Sequence, residues 1–178
     1  GVIIADVTGL GKTIIACRIA YELRQRGIII CPPGLIGDEN RTVGWRRYCK
    51  DFDLLDWEVR SRGDLESVEE YVKGRPDIGV VIVDEAHHFR NEKIQSYELL
   101  QRICRGRKVI LLTATPFQNT PADLFALLKL FIVPGKSTLA LDDDLESLFR
   151  SYRTEYQHLS HILKYHRGPN CQKRAKAE

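Results

Sequence analysis

Three short stretches of this 178-residue chain combine residue types that do phosphate and water chemistry. Thr8-Gly9-Leu10-Gly11-Lys12-Thr13 is a glycine-rich loop ending in a cation and a hydroxyl. Gly9 and Gly11, on either side of Leu10, let the backbone curl so that amide hydrogens point inward at phosphate oxygens. Lys12 adds a positive charge for the β- and γ-phosphates, the Thr13 hydroxyl can bind magnesium, and the helix that follows adds its dipole. Val80-Val81-Ile82-Val83-Asp84-Glu85-Ala86-His87 is an apolar run that delivers two adjacent carboxylates. Buried like charges repel, and a divalent cation removes that conflict. Asp84 is expected to hold the cation through water, and Glu85 to orient and deprotonate an attacking water. Leu111-Leu112-Thr113-Ala114-Thr115-Pro116 is a second apolar run that delivers hydroxyls, placed to bridge the acidic site to a moving surface. The three together imply ATP, Mg2+ and an attacking water.

Each stretch alone has a plainer reading. The glycine loop can be an ordinary strand–turn–helix junction, and Asp6 stands where the full phosphate-loop pattern has glycine. The two acids can mark a strand reaching solvent. The threonines can reflect β-propensity and the turn made by Pro116. A fourth feature is open in the same way. Pro32-Pro33-Gly34 forms a rigid loop, followed by Arg41, Arg46, Arg47 and Lys50 interleaved with Trp45 and Tyr48. That is either a contact surface for a nucleic-acid backbone, centred on Pro33, Gly34, Arg46 and Arg47, or a solvated helix face. His158, His161, His166 and Cys171 lack zinc-ligand spacing and read as surface residues of a helical tail.

These residues need a scaffold, and the periodicity supplies one. Val2-Ile3-Ile4 runs into the glycine loop; from Thr13 a helix follows with Ile15, Ile19 and Leu23 on one face and Gly27 as its stop. Ile28-Ile29-Ile30, Ile78–Val83 and Val109–Leu112 read as buried strands, Trp57-Glu58-Val59 as a weaker one. Leu65–Val72 and Ile94–Cys104 read as helices. Thr120-Pro121 starts another, with Leu124, Leu127, Leu128 and Phe131 inward, ending before Pro134-Gly135. Beyond it, Asp142-Asp143-Asp144 opens a helix with Leu145, Leu148, Phe149 and Tyr152 on one face, and a second helical stretch runs to about Tyr165. Apolar strands alternating with helices give an α/β domain whose parallel sheet binds its ligand at the carboxyl ends of the strands. All three motifs fall there.

Composition bounds the rest. Hydrophobic residues make up 43% and charged residues 29%, the balance of a globular domain with a real core. No apolar run is long enough to span a bilayer, and the first residues show no basic leader. The five scattered cysteines, without a CxxC pair, fit reduced intracellular thiols. A net charge of +3 does not by itself indicate nucleic acid. The chain opens inside a strand, lacks methionine and ends in a polar tail, so it is expected to be part of a longer protein.

The motifs resemble those of superfamily-two helicases, and most closely the Swi/Snf-type ATPases. Gly9-Leu10-Gly11-Lys12-Thr13 is similar to motif I, Cys31-Pro32-Pro33-Gly34-Leu35 to motif Ia, and Ser61-Arg62-Gly63-Asp64 to motif Ib. Asp84-Glu85-Ala86-His87 resembles motif II, and Thr113-Ala114-Thr115-Pro116-Phe117-Gln118-Asn119 motif III in its Swi/Snf form. The family has Asp-Glu before the glycine loop, whereas Asp6 is followed here by Val7-Thr8. The resemblance implies a RecA-like P-loop NTPase lobe over residues 1–135, a mostly parallel sheet with helices on both faces. Residues 136–178 would be a helical C-terminal extension, in position like the start of a helical protrusion. It implies His87, Thr113, Thr115 and Gln118 as coupling residues. It further implies a DNA-dependent ATPase that tracks along double-stranded DNA and remodels protein–DNA complexes in the cytoplasm, away from membranes. A second RecA-like lobe of the same protein, outside this chain, would supply an arginine finger. This fragment alone is therefore expected to be weak or inactive. Two alternatives remain: a DEAH-type helicase subunit of a restriction or repair system, and a nucleotide-gated binding module without turnover.

Overall fold

Branched side chains on both faces of Ile28-Ile29-Ile30 and Val80–Val83 suit strands covered from both sides, and both runs are fully buried. A computed structural model of the chain describes residues 1–116, 120–133 and 145–166. Its strands are β1 (Val2–Ala5), β2 (Arg26–Cys31), β3 (Glu58–Ser61), β4 (Ile78–Val83) and β5 (Lys108–Thr113). They form one five-stranded sheet in the order β1-β5-β4-β2-β3, and every pairing is parallel. The fold class is the one the alternation of strands and helices predicts.

The strand period sorts side chains onto two cores. Ile29, Cys31, Val80, Ile82, Ile110 and Leu112 face α1 (Lys12–Leu23) and α2 (Gly44–Asp51). Ile28, Ile30, Val81, Val83, Val109 and Leu111 face α3 (Leu65–Lys73), α4 (Gln95–Cys104) and α5 (Pro121–Leu128). α6 (Leu145–His166) leans on α5, with the Phe149 and Phe125 rings stacked at 4.7 Å.

Several expectations need correction. α1 turns Ala16, Cys17 and Ala20 to the sheet, Ile19 and Leu23 are only partly covered, and Ile15 faces outward. Small residues let the helix approach the sheet closely, which an isoleucine stripe would prevent. Gly27 does not stop α1. The helix ends on Arg24 in a left-handed conformation, and Gly27 lies inside β2, where a Cβ would stand 2.4 Å from the Trp57 ring. α5 starts at Thr120-Pro121 as expected, but Thr120 makes no side-chain cap and the buried face is Phe125, Ala126, Leu127 and Leu130. The two tail helices are one helix of 22 residues. Gln118, the Pro134-Gly135 break, Asp142-Asp143-Asp144 and Cys171 lie outside the described residues. Cys17, Cys31, Cys49 and Cys104 are buried and unpaired; burial pushes the Cys17 and Cys31 thiols up to about 12, so they act as apolar packing.

Arginines knit the amino ends of the strands. Arg26 Nε donates to the Asp56 carbonyl at 2.9 Å and its Nη1 pairs with Asp77 at 3.0 Å. Arg107 donates to the carbonyls of Ile78 at 3.0 Å, Ile103 at 2.8 Å and Val72 at 3.0 Å, joining β4, α4 and α3. Removing this fork takes a donor from the part-buried Ile78 and Ile103 carbonyls, while the Val72 carbonyl keeps the Arg75 N–H at 3.2 Å. Arg107→Met is expected to lower unfolding stability by roughly 2–4 kcal/mol. Urea unfolding measures it, and an unchanged midpoint contradicts the assignment.

Candidate functional site

The sheet order places the three motifs side by side at the carboxyl edge. β1 ends in the glycine loop, β4 ends in Asp84-Glu85, and β5, between them, ends in Thr113. Ala5 pairs with Thr113 across β1–β5, and the Asp6 N–H donates to the Thr113 carbonyl at 3.3 Å. Segments more than a hundred residues apart in sequence thereby line one rim.

In the loop, Gly9 (φ 90°) and Gly11 (φ 81°) hold the left-handed conformation that a side chain resists. Gly11 caps α1 and receives the first helical bond, from the Ile15 N–H to its carbonyl at 3.0 Å. No side chain caps the first turn and no acid lies in it, so its amides remain free for an anion. The Lys12 ammonium donates to the carbonyls of Asp6 at 2.8 Å and Val7 at 2.9 Å. An ammonium has three donors, so one is left for a phosphate oxygen. Asp6, in the place of a glycine, accepts the Val7 N–H at 2.8 Å. Thr13 is half-buried one residue further along α1.

Asp84 is 9% exposed. Its N–H donates to the Ile30 carbonyl at 2.8 Å, which continues the β2–β4 ladder past the strand's end. Oδ1 accepts the Glu85 N–H at 2.9 Å and Oδ2 accepts the Trp45 indole N–H at 2.8 Å. Burial raises the Asp84 carboxyl above its ordinary value; the Trp45 and Glu85 donors pull it back, the Glu85 charge raises it and Lys12 lowers it. Among the described residues no side-chain cation pairs with it and no cluster of three or more His, Cys, Asp or Glu forms a metal cage. A buried carboxylate lacking a cation, beside a bare helix N-terminus, fits magnesium held by one carboxylate and substrate phosphates.

Glu85 takes φ 53° and opens a 3-10 turn over Ala86–Phe89. Left-handed backbone is rare at a non-glycine residue and concentrates at functional sites. Its half-exposed carboxylate lies 3.0 Å from His87 Nδ1, at an angle short of a hydrogen bond. Thr113 is buried, and its Oγ1 accepts the Thr115 N–H at 3.1 Å, so Thr115 turns out to solvent.

The nucleic-acid candidates are less united. Pro33 and Gly34 sit in a 3-10 turn over Pro33–Leu35, directly after β2. Arg46 lines a cleft of about 290 Å³ with Glu39 and Glu58, whereas Arg47 points outward and pairs with Asp51 at 3.3 Å. Successive helical residues lie about 100° apart, so the two arginines cannot share one face. Trp45, read from sequence as part of a surface patch, is 2% exposed and belongs to the core. Its bond to Asp84 was missed; the available signal was that a buried indole N–H needs a partner.

Residues 64–142 match the family model of the SNF2-related domain. The Bacillus subtilis protein described as "Uncharacterized ATP-dependent helicase YqhH" is 30% identical over 153 aligned residues, covering 75% of this chain and 26% of that protein. Chromodomain-helicase-DNA-binding protein 7 of Gallus gallus is 30% identical over 174, covering 75% of this chain and 6% of that protein. The resemblance to Swi/Snf-type helicases is borne out: part of this chain matches the SNF2-related domain, and its relatives include helicases of that family. The chain spans about a quarter or less of the length of these relatives. The Sulfolobus solfataricus SWI2/SNF2 ATPase core in complex with dsDNA shares the fold, with a TM-score of 0.56 at 18% identity over 92% of this chain and 38% of that one. No helix among the described residues is long and apolar enough to cross a membrane.

The left-handed Glu85 yields a stability prediction. Glu85→Gly relieves about 1–2 kcal/mol of backbone strain and costs about 0.5–1 kcal/mol in chain entropy. The net gain is expected near 0.5–1 kcal/mol, read as a raised urea midpoint. A lowered midpoint would mean that the Glu85 side chain contributes more to the fold than its backbone strain removes.

Proposed function

We propose that this chain is the nucleotide-binding lobe of an ATP-driven motor that tracks along double-stranded DNA. The observation that carries the reading is the shared rim: a glycine loop with a free helix N-terminus, and a buried Asp84 followed by the half-exposed Glu85, with one strand between them at the carboxyl edge of one parallel sheet. Gly9, Leu10, Gly11, Lys12 and Thr13 would take the ATP phosphates, and Thr13 and Asp84 would hold magnesium, Asp84 through water. Magnesium supplies charge neutralisation between the phosphates when bound. Glu85 would orient the water, with His87 beside its carboxylate and Thr113, Thr115 and Gln118 relaying the state of the site. Residues 1–135 form the lobe in this reading, and 136–178 begin a separate helical extension. A second RecA-like lobe of the same protein would close the cleft and supply the missing cation. The DEAH-like Asp84-Glu85-Ala86-His87 box and an intact Lys12 speak against a module without turnover.

Duplex DNA would run along Pro33, Gly34 and Arg47, with Arg46 a lesser contact because Glu39 and Glu58 stand beside it. The remodelled partner would be a protein–DNA complex, and the work would be done inside the cell.

In the intact protein, Lys12→Ala is expected to abolish ATP turnover by removing phosphate charge neutralisation. Glu85→Gln keeps ATP binding and loses hydrolysis, since Asp84 remains. Nucleotide binding and phosphate release, measured side by side, test both; wild-type turnover in Glu85→Gln would sink the assignment.

Arg47→Gln is expected to flatten the dependence of log affinity on log salt by about 0.9 for one lost phosphate contact, equally for all DNA sequences. Arg46→Gln should change it less. A slope that neither substitution moves would mean the α2 surface is only solvated.

A further inference from the structure

The Trp45–Asp84 hydrogen bond joins two segments that the proposed chemistry treats separately. Trp45 is the second residue of α2, 39 positions before Asp84 in sequence, and its indole N–H meets Oδ2 at 2.8 Å in a buried setting. The indole is held by a stiff frame. Gly44 has φ 64°, and a Cβ there would stand 2.6 Å from the Leu35 carbonyl oxygen and 2.7 Å from Gly37 Cα. Gly37 has φ 97°, and a Cβ there would stand 2.1 Å from the Val43 carbonyl oxygen. The Arg46 N–H donates to the Ile36 carbonyl at 3.0 Å. Asp38 accepts the Thr42 and Val43 amides at 2.6 and 3.1 Å and the Thr42 hydroxyl at 2.7 Å. The loop after β2 and the first turn of α2 therefore move together, and Trp45 cannot swing without them. On the far side, the Tyr48 ring meets Trp45 edge-on at 6.3 Å.

We propose that Trp45 is a positioning residue for Asp84: its indole N–H fixes the carboxylate in the orientation that receives hydrated magnesium. The inference rests on the reading of Asp84 given above. A carboxylate offers about four lone-pair sites. The Trp45 and Glu85 donors occupy two, one on each oxygen, and leave one site on each oxygen for metal-bound water. Without the indole donor, Oδ2 is buried with no partner and the carboxylate turns to find one. Partners of this outer kind usually change metal affinity or activity by about 10–100-fold when removed. A tryptophan that merely fills the core needs only its rings, so loss of the N–H alone separates the two roles.

The test is equilibrium binding of a fluorescent ATP analogue to the intact protein at increasing Mg2+, compared with binding in EDTA. Trp45→Phe is expected to raise the half-saturating Mg2+ about tenfold and to leave the affinity in EDTA unchanged. Replacing Trp45 by benzothienylalanine keeps the shape of indole without its donor and should give the same shift with an unchanged melting temperature. That variant decides the matter if Trp45→Phe folds poorly. An unshifted Mg2+ midpoint in the benzothienylalanine protein overturns the proposal. Asp84→Asn is the control. If it shifts the midpoint and the Trp45 variants do not, only this inference fails. If Asp84→Asn does not shift it either, the magnesium reading of Asp84 fails with it.

Discussion

A carboxylate that is nine-tenths buried at the end of an apolar strand is the constraint around which this fold is arranged. Burying a charge is unfavourable unless donors and a countercharge meet it. The chain meets Asp84 with an indole from α2, the amide of its own neighbour Glu85, and the nearby charge of Lys12 from the glycine loop. Each of these groups is held in turn. Trp45 is held by the close glycine contact between Gly37 and Gly44, the Glu85 amide by a left-handed turn, and Lys12 by two carbonyls of the loop. Replacing Asp84 by an apolar residue would ease the packing and remove the reason for every one of these arrangements.

Parallel pairing turns that local constraint into a site. In a parallel sheet all strands end at the same edge, so residues far apart in sequence reach one rim. Inserting β5 between β1 and β4 sets the width of that rim. The glycine loop and the acidic pair are separated by one strand, and that strand ends in Thr113, whose hydroxyl is engaged by the Thr115 amide. A direct β1–β4 pair would crowd the loop against the carboxylates and leave no room for a triphosphate.

Much of this was legible in the sequence where one interaction dominates. β4 and α4 fall within a residue of their expected ends, because continuous branched runs and a clear helical period leave few alternatives. The glycine loop and Asp84-Glu85 stand out in the sequence because those residue types at that spacing suit phosphate and metal chemistry, and the sheet brings both to one rim. The failures share a cause. Ile15 was expected inward and Ala16 was not, because hydrophobicity rank does not register how closely a helix must approach a sheet. Gly27 looked like a helix stop, since nothing local announces that Trp57 will press against it. Trp45 looked like a surface aromatic among arginines, because its partner lies 39 residues on and only the fold brings the two together. Arg46 and Arg47 looked like one patch until the helix turned them apart.

The two ends of the sheet show how stability and chemistry are divided. At the amino ends of the strands, Arg26 and Arg107 satisfy main-chain carbonyls from neighbouring elements, so little polar capacity is left over. At the carboxyl ends the balance is reversed. The first turn of α1 has no cap, and the Asp84 carboxylate has no ion-pair partner among the described residues. Unmet polar groups persist only where the surrounding structure over-determines them. Here the surroundings are two closed cores and an arginine-knit base. The same amides and carboxylate that weaken the free lobe are the groups a bound phosphate and its cation would satisfy, so ligand binding should stabilise the part of the fold that is least satisfied without it.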